Sequence, residues 1–255
     1  MANKPDSAKP SITVIFPAFN EEANVVASVE GVREVLAVRH DDFEVVVVDD
    51  GSTDRTPALA DGLAARYEEV KVIHHDRNYK LGRTLRSGFA AATKDLVFYT
   101  DADLPIDFRE IRRGVELLLR DGTDIISGYR LERGDGWWRD LCSVAYNRLV
   151  NALFGLGVED VNFSYKLMTR ESLRKLPLTS EGSFIDVELF ARAKLAGMHV
   201  KQLGVHYFPR RAGRSTLASP AVILKILIEM HRFWWREWRL RKRREDSRRT
   251  HRRRP

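Results

Sequence analysis

Four short apolar runs, each followed by a stretch with helical periodicity, limit what this chain can fold into. Ile12–Phe16, Phe43–Val48, Val70–His74 and Leu96–Thr100 are rich in β-branched and aromatic residues, the composition of buried strands. Pro17 is expected to stop the first. The near-continuous run Phe43–Val48 suits a strand covered on both faces, as in a parallel sheet. Between the runs, Val25, Val29, Val32 and Leu36 repeat at helical spacing. A second helix is expected to open near Thr53 or Asp54, either of which suits its cap, and a third to span Gly82–Ala92. Strand and helix alternating in this way predict an α/β fold, a Rossmann-like doubly wound and mostly parallel sheet.

The alternation continues with a helix over Phe108–Leu119 and a strand over Asp124–Ser127 that ends at Gly128-Tyr129-Arg130. A loop over Leu131–Trp138 leads to a helix over Arg139–Phe154. A strand over Phe163–Met168, a helix over Ile185–Leu195 and a strand over Val200–Val205 complete the pattern. No repeat interrupts it, so a single domain is expected over 11–217, after a disordered leader at 1–10. A chain of 255 residues with 44% apolar content can bury one sizeable core. The single cysteine, Cys142, excludes an internal disulfide and a zinc cluster, and reads as a small core residue on a helix. Met1–Pro10 lacks the apolar segment of a secretory signal. The longest spanning candidate, Ala221–Ile228, is broken by Lys225 and falls short of the roughly 18 apolar residues that crossing a bilayer requires. The expectation is a soluble or peripheral protein.

Chemistry concentrates where strands end. Asp101 and Asp103 follow the Leu96–Thr100 run, at the sheet edge where open α/β folds bind ligands. Paired carboxylates there suit Mg²⁺ or Mn²⁺, which one or two carboxylates hold while substrate phosphates fill the other positions. The plainer alternative makes both of them turn residues before the next helix, and Asp49, Asp50 and Asp54 have the same reading. Ser183 and Asp186 have capping-box spacing, which reads Asp186 as a helix cap.

Pro17-Ala18-Phe19-Asn20-Glu21, Val48-Asp49-Asp50-Gly51-Ser52-Thr53-Asp54 and Asp101-Ala102-Asp103, in this order, resemble the family 2 glycosyltransferases of GT-A fold. The resemblance is greatest to the dolichyl- or polyprenyl-phosphate mannose synthase group. It runs from about Ile12 to Ser215 and takes in Gly128-Tyr129-Arg130, Arg139 with Ser143, Asp160-Val161-Asn162-Phe163 and Arg210-Arg211-Ala212-Gly213-Arg214-Ser215. It implies an inverting, metal-dependent hexosyltransferase that moves a hexose, mannose favoured, from a nucleoside-diphosphate sugar such as GDP-mannose to a polyprenyl phosphate. On that model Pro17, Phe19, Glu21, Val48, Asp50, Ala102 and Arg210 meet the nucleotide sugar, and Asp101 and Asp103 hold the Mg²⁺ or Mn²⁺. Arg130, Arg139 and Ser143 grip the acceptor phosphate, with Asp101, Asp103, Arg130 and Arg210 as the catalytic set.

A phosphate monoester is already anionic at neutral pH, so it needs cations to align it rather than a base, and the planar fork of arginine matches its oxygens. Arg139 and Ser143, four apart on a helix, share a face. Three departures stand out. Pro105 replaces a usual Gln, so the metal's coordination is completed otherwise. Thr216 replaces a usual Lys, with Arg214 nearby. Asn78-Tyr79-Lys80-Leu81-Gly82 has one glycine where two are usual. Two alternatives stay open. One is a hydroxyl acceptor, a diacylglycerol or glycan, with Glu188 or Asp186 as base. The other is a non-catalytic membrane or nucleic-acid adaptor on a degenerate GT-A scaffold.

The C-terminal segment carries its own signal. Over 218–240, Lys225, Glu229, Arg232 and Arg236 oppose Ile223, Leu227, Met230, Trp234 and Trp238, the pattern of an amphipathic interfacial helix. Residues 239–255 hold ten Lys or Arg against Glu245 and Asp246, a charge of +8, and since the chain totals +7 the remainder carries −1. A basic disordered tail at 241–255 beside a Trp-bearing helix points to an anionic membrane surface, at the inner, cytoplasmic face. A membrane-protein partner subunit is the competing occupant. A nucleic-acid partner is not expected, since no aromatics are interleaved with the basic residues and no nucleic-acid-binding fold is recognisable.

Overall fold

The first three expected strands appear as β1 (Ile12–Ala18), β2 (Phe43–Asp49) and β3 (Val70–His74), joined by α1 (Val25–Ala37) and α2 (Thr56–Arg66). The computed structural model describes residues 10–38, 42–103, 106–132, 137–207 and 228–237, leaving the side chains of 137–140 and 142 undescribed. The leader, Pro105, the side chains of Arg139 and Cys142, Arg210, Thr216, the basic tail and most of 218–240 therefore lie outside the described residues. Residues 228–237 are helical and belong to a unit of their own, Ser215–Pro255.

The rest of the chain in order is α3 (Leu81–Ala91), β4 (Leu96–Tyr99), α4 (Glu110–Asp121), β5 (Ile125–Arg130), α5 (Trp137–Phe154), β6 (Lys166–Thr169), α6 (Arg170–Arg174), α7 (Ile185–Leu195) and β7 (Val200–Val205). The strands form one seven-stranded sheet in the order β3-β2-β1-β4-β6-β5-β7. The pairs β1–β2, β1–β4, β2–β3 and β5–β7 are parallel, whereas β6 runs antiparallel to both β4 and β5. The expected mostly parallel doubly wound sheet is present, with one reversed strand inserted.

Alternation along the strands gives each face its helices. Ile12, Val14, Phe16, Val45 and Val47 join one core with Val25, Val29 and Val32 of α1 and with Ile111, Val115 and Leu118 of α4. Ile15 and Val48 point the other way, against α3, where a Cβ at Gly88 would lie 2.5 Å from Ile15 Cγ2 and 3.3 Å from Val48 Cγ2. The Val45–Val48 run is wholly buried because both faces are covered. Each such side chain contributes about 1.5–3 kcal/mol of transfer free energy.

Pro17 does not stop β1, which continues to Ala18. Backbone groups of Ile15 face β4, as the bond from Thr100 N to Ile15 O shows, and those of Ala18 face β2, where Asp50 N, just past the strand, donates to Ala18 O. By period-two alternation the missing N–H of Pro17 faces β4 beyond its last residue, Tyr99, so no ladder bond is lost. Residues Phe163–Tyr165, expected to be strand, precede β6.

Candidate active site

The connection from β1 to β2 goes one way along the sheet and that from β3 to β4 returns past β1, so strand order reverses between β1 and β4. The crevice at the carboxyl ends beside such a reversal is where an open α/β sheet takes its ligand. Four carboxylates arrive there: Asp49 and Asp50 at the end of β2, and Asp101 and Asp103 just after β4. Asp103 is buried and Asp101 partly so.

The loops around this crevice are stitched together. Asn20, in the left-handed region at φ 56°, donates its N–H to Ser52 Oγ (2.9 Å) and accepts from Thr53 N at Oδ1 (2.8 Å). Glu21 N reaches Thr56 Oγ1 at 2.8 Å. Asp54 takes Glu22 N at 3.1 Å and Thr56 N at 2.9 Å, but neither it nor Thr53 caps α2, whose cap residue is Arg55 and makes no side-chain cap bond. Asp49 takes Ser52 N (3.0 Å) and pairs with His74 Nδ1 (3.0 Å), and Asp49 with Asp61 raises the His74 pKa.

Asp50 organises the loop leading into α3. Its Oδ1 accepts from Tyr79 N at 2.9 Å and pairs with His75 Nδ1 at 2.7 Å, and its Oδ2 accepts from Lys80 N at 2.8 Å. Lys80 has φ 77° and ψ 165°, a conformation normally left to glycine, in the loop that has one glycine fewer than expected. A non-glycine residue there stores about 1–3 kcal/mol of strain and persists because its surroundings over-determine it.

Of the residues expected to line the nucleotide pocket, Phe19 is 44% exposed, whereas Val48 has no exposed surface. Val48 therefore forms the floor beneath the site and does not line it. Ala102 also turns inward, and its carbonyl accepts from Ser28 Oγ at 2.6 Å.

Beyond β4 lies a buried charged cluster that sequence reading missed. Lys166, at the start of β6, pairs in register with Tyr99 and is fully enclosed. Its ammonium donates to Phe163 O and lies 5.9 Å from the Tyr99 ring and 5.4 Å from the Phe190 ring. Burial pulls the Lys166 pKa down, while Asp186, Asp160 and Asp101 oppose the shift. Tyr99 donates its hydroxyl to Asp186. Burial, Asp186 and Asp101 push the Tyr99 pKa well up, and burial raises that of Asp186 against the pull of Lys166 and Tyr99. A lysine within the apolar run Phe163–Met168 was the available signal.

The same cluster reaches Arg130, the last residue of β5. Arg130 Nε donates to Asp160 Oδ2 at 2.8 Å, and its guanidinium lies 5.3 Å from the Tyr207 ring and 5.9 Å from that of Phe163. Asn147 of α5 links the next expected residue: its Nδ2 donates to Ser143 Oγ at 3.4 Å, and its Oδ1 accepts from Val161 N at 3.0 Å. Arg130, Ser143 and the Asp160–Val161 turn thus form one neighbourhood, and the charges of Asp101 and Asp160 both favour the charged form of Lys166. Arg139 lies one turn before Ser143 on α5.

The two alternative bases, Glu188 and Asp186, are both buried. Glu188 is fully buried; its Oε1 accepts from Thr179 Oγ1 (2.9 Å) and Arg192 Nε (2.7 Å), and its Oε2 from Thr179 N (2.9 Å) and Ser180 N (2.7 Å). Burial would raise its pKa, but the bonds from Ser180 and Thr179 and the pair with Arg192 hold it low. Asp186 does not cap α7, whose cap residue Phe184 makes no side-chain bond; its carboxylate turns inward to Tyr99.

Fold and site together define an α/β protein with an acidic crevice at the carboxyl edge of its sheet. The model of the family described as Glycosyl transferase family 2 matches residues 13–176. The chain belongs to that family, and its fold is GT-A. It is 30% identical over 238 residues to Glycosyltransferase AglD of Haloferax volcanii, covering 88% of this chain and 37% of that protein. It is 32% identical over 150 residues to the undecaprenyl-phosphate 4-deoxy-4-formamido-L-arabinose transferase of Aeromonas hydrophila, covering 58% of this chain and 46% of the relative. The chain thus spans about half or less of these two relatives. Among solved structures, glucosyl-3-phosphoglycerate synthase from Mycobacterium tuberculosis, in complex with Mn²⁺, UDP-glucose and phosphoglyceric acid, superposes with TM-score 0.65 at 25% identity, covering 81% of this chain and 74% of that one.

Proposed function

We propose that this chain is a metal-dependent, inverting transferase that moves a hexose, mannose favoured, from a nucleoside-diphosphate sugar to a polyprenyl phosphate. The observation that carries the reading is the placing of Asp101 and Asp103 at the strand-order reversal, with Arg130 paired to Asp160, whose charge acts on Lys166 together with that of Asp101. The undecaprenyl-phosphate transferase among its relatives supports the acceptor class, and the Mn²⁺ and UDP-glucose of the structural relative support the donor class.

The donor set fits a hard divalent ion. Asp101 and Asp103 are hard oxygen donors at the end of β4, and one or two carboxylates together with substrate phosphates are the set that Mg²⁺ or Mn²⁺ takes. Asp101 and Asp103 would hold Mg²⁺ or Mn²⁺, which when bound supplies Lewis-acid stabilisation of the departing nucleoside diphosphate. Phe19, Glu21 and the loop held by Asp50 would flank the nucleotide. Arg130, with Arg139 and Ser143, would orient the acceptor phosphate for attack on the anomeric carbon opposite the leaving group, which inverts configuration. Its own charge makes a protein base unnecessary, in keeping with the saturated carboxylate of Glu188. Arg210 would neutralise the diphosphates.

Among the described residues no helix is long and apolar enough to cross a membrane. Attachment at the inner, cytoplasmic face through 221–240 and the basic tail would bring the site to a lipid acceptor, with a partner subunit as the other occupant. Thermal-shift titration with GDP, UDP and ADP in Mn²⁺, followed by transfer assays on polyprenyl phosphate with the matching sugar nucleotide, tests the reading. Metal-dependent stabilisation by one nucleotide and a lipid-linked product are expected. Stabilisation by none, or transfer only to hydroxyl acceptors, sinks it.

A further inference from the structure

We propose that Asp186 and Glu188 of α7 are positioning residues that brace the donor site from two sides; this rests on the donor site assigned above. Two residues apart on a helix, their side chains leave the axis about 200° apart. Both are nevertheless buried, because α7 is wedged between the sheet and the segment 179–181.

On one side Asp186 accepts from Tyr99, two residues before Asp101 on the same chain. On the other, three bonds to Glu188 fix Thr179 and Ser180, while Arg192 on the same helix holds the carboxylate in place. The carbonyls of that segment then meet the first turns of α3. Arg83 N donates to Glu181 O at 3.2 Å, Arg86 Nη1 donates to Thr179 O at 3.2 Å, and a Cβ at Gly82 would lie 2.4 Å from Ser180 O. The first turn of α3 continues directly from Tyr79 and Lys80, whose N–H groups Asp50 holds. A continuous path of hydrogen bonds and close packing therefore runs from Glu188 through residues 179–181 and the start of α3 to the nucleotide loop. Asp186 does the same for the strand that delivers the metal carboxylates. Gly82 is required because any side chain there would push the segment off α3.

The role differs from general base catalysis in what a substitution changes. Loss of a base lowers kcat and leaves donor binding intact, whereas loss of a brace weakens binding of the nucleotide. In the full-length protein, Glu188→Gln should raise the donor KM and the GDP or UDP dissociation constant in Mn²⁺ about 10-fold, with kcat within about threefold. Asp186→Asn, whose amide oxygen still accepts from Tyr99, should rescue most of the loss seen in Asp186→Ala. Should Glu188→Gln fail to fold by circular dichroism, Thr179→Val and Arg86→Met loosen the same segment from either side and should shift nucleotide affinity in the same direction. A fall in kcat of about 100-fold or more in Asp186→Asn or Glu188→Gln, at unchanged nucleotide affinity, would overturn the proposal, as would unchanged donor KM in every folded variant. A wild type that binds no nucleoside diphosphate removes the functional reading itself, and this inference with it.

Discussion

The two edges of the sheet handle acidic groups in opposite ways. At the amino edge Glu44 is closed within the fold by Thr13 Oγ1 (2.6 Å), Lys71 Nζ (2.6 Å), Thr93 N (2.7 Å) and Thr93 Oγ1 (2.9 Å). Asp95, before β4, takes both the N–H and the hydroxyl of Ser11, at 3.2 and 2.8 Å. At the carboxyl edge Asp49, Asp50, Asp101 and Asp103 gather from two strands, and the first two are held by imidazoles and backbone amides. The amino edge spends its carboxylates on stability. The carboxyl edge keeps a concentration of negative charge that suits a divalent ion.

The largest expected effect breaks the carboxyl edge alone. Asp103→Ala should lower transfer by about 1000-fold, the several kcal/mol that a metal's charge stabilisation supplies, with little change in urea midpoint. A comparable loss of stability would show that the pair serves the fold instead. Next, Asp160→Ala removes the carboxylate that the Arg130 guanidinium, 15% exposed, meets at 2.8 Å. Removing one partner of such a pair should cost about 3 kcal/mol in urea unfolding and raise the acceptor KM.

The amino edge is tested by acid. Burial acts to raise the Glu44 pKa, but Lys71, Thr13 and Thr93 outweigh it and hold the group at about 2. A depressed folded-state pKa gives stability that is present above the ordinary carboxylate range and lost as pH falls toward 2. About 3 kcal/mol should disappear across that window, and Glu44→Gln should flatten the curve. The smallest effect is the control: Glu116, paired with Arg112 at 2.6 Å on the exposed side of α4, should change stability by less than about 0.5 kcal/mol on substitution by Gln.

Much of the carboxyl edge was legible in the chain because local pattern determines it. A strand followed by its acidic turn lies within about ten consecutive residues, and β1 to β4 fall within a few residues of their expected bounds. Arg130, Asp160 and Lys166 were harder, since their contacts depend on where β6 inserts, and alternation alone does not predict an antiparallel strand between β4 and β5. The five-residue α6 is too short for periodicity to show. Asp186 misled through its spacing from Ser183, because burial against Tyr99 outweighs the local capping preference. Glu188 invited a chemical role through its residue type, while two of its three partners, Thr179 and Ser180, lie in a segment with no motif.

The reversed strand β6 also bears on biosynthesis. Leu96 of β4 pairs with Thr169, so one flank of β4 has no neighbour until more than seventy further residues have left the ribosome. Until then the nascent chain presents an unpaired sheet margin, a template for joining other chains. Ribosome stalling or proteolysis between β4 and β6 should therefore yield fragments that aggregate, whereas a chain released after Thr169 has that flank covered.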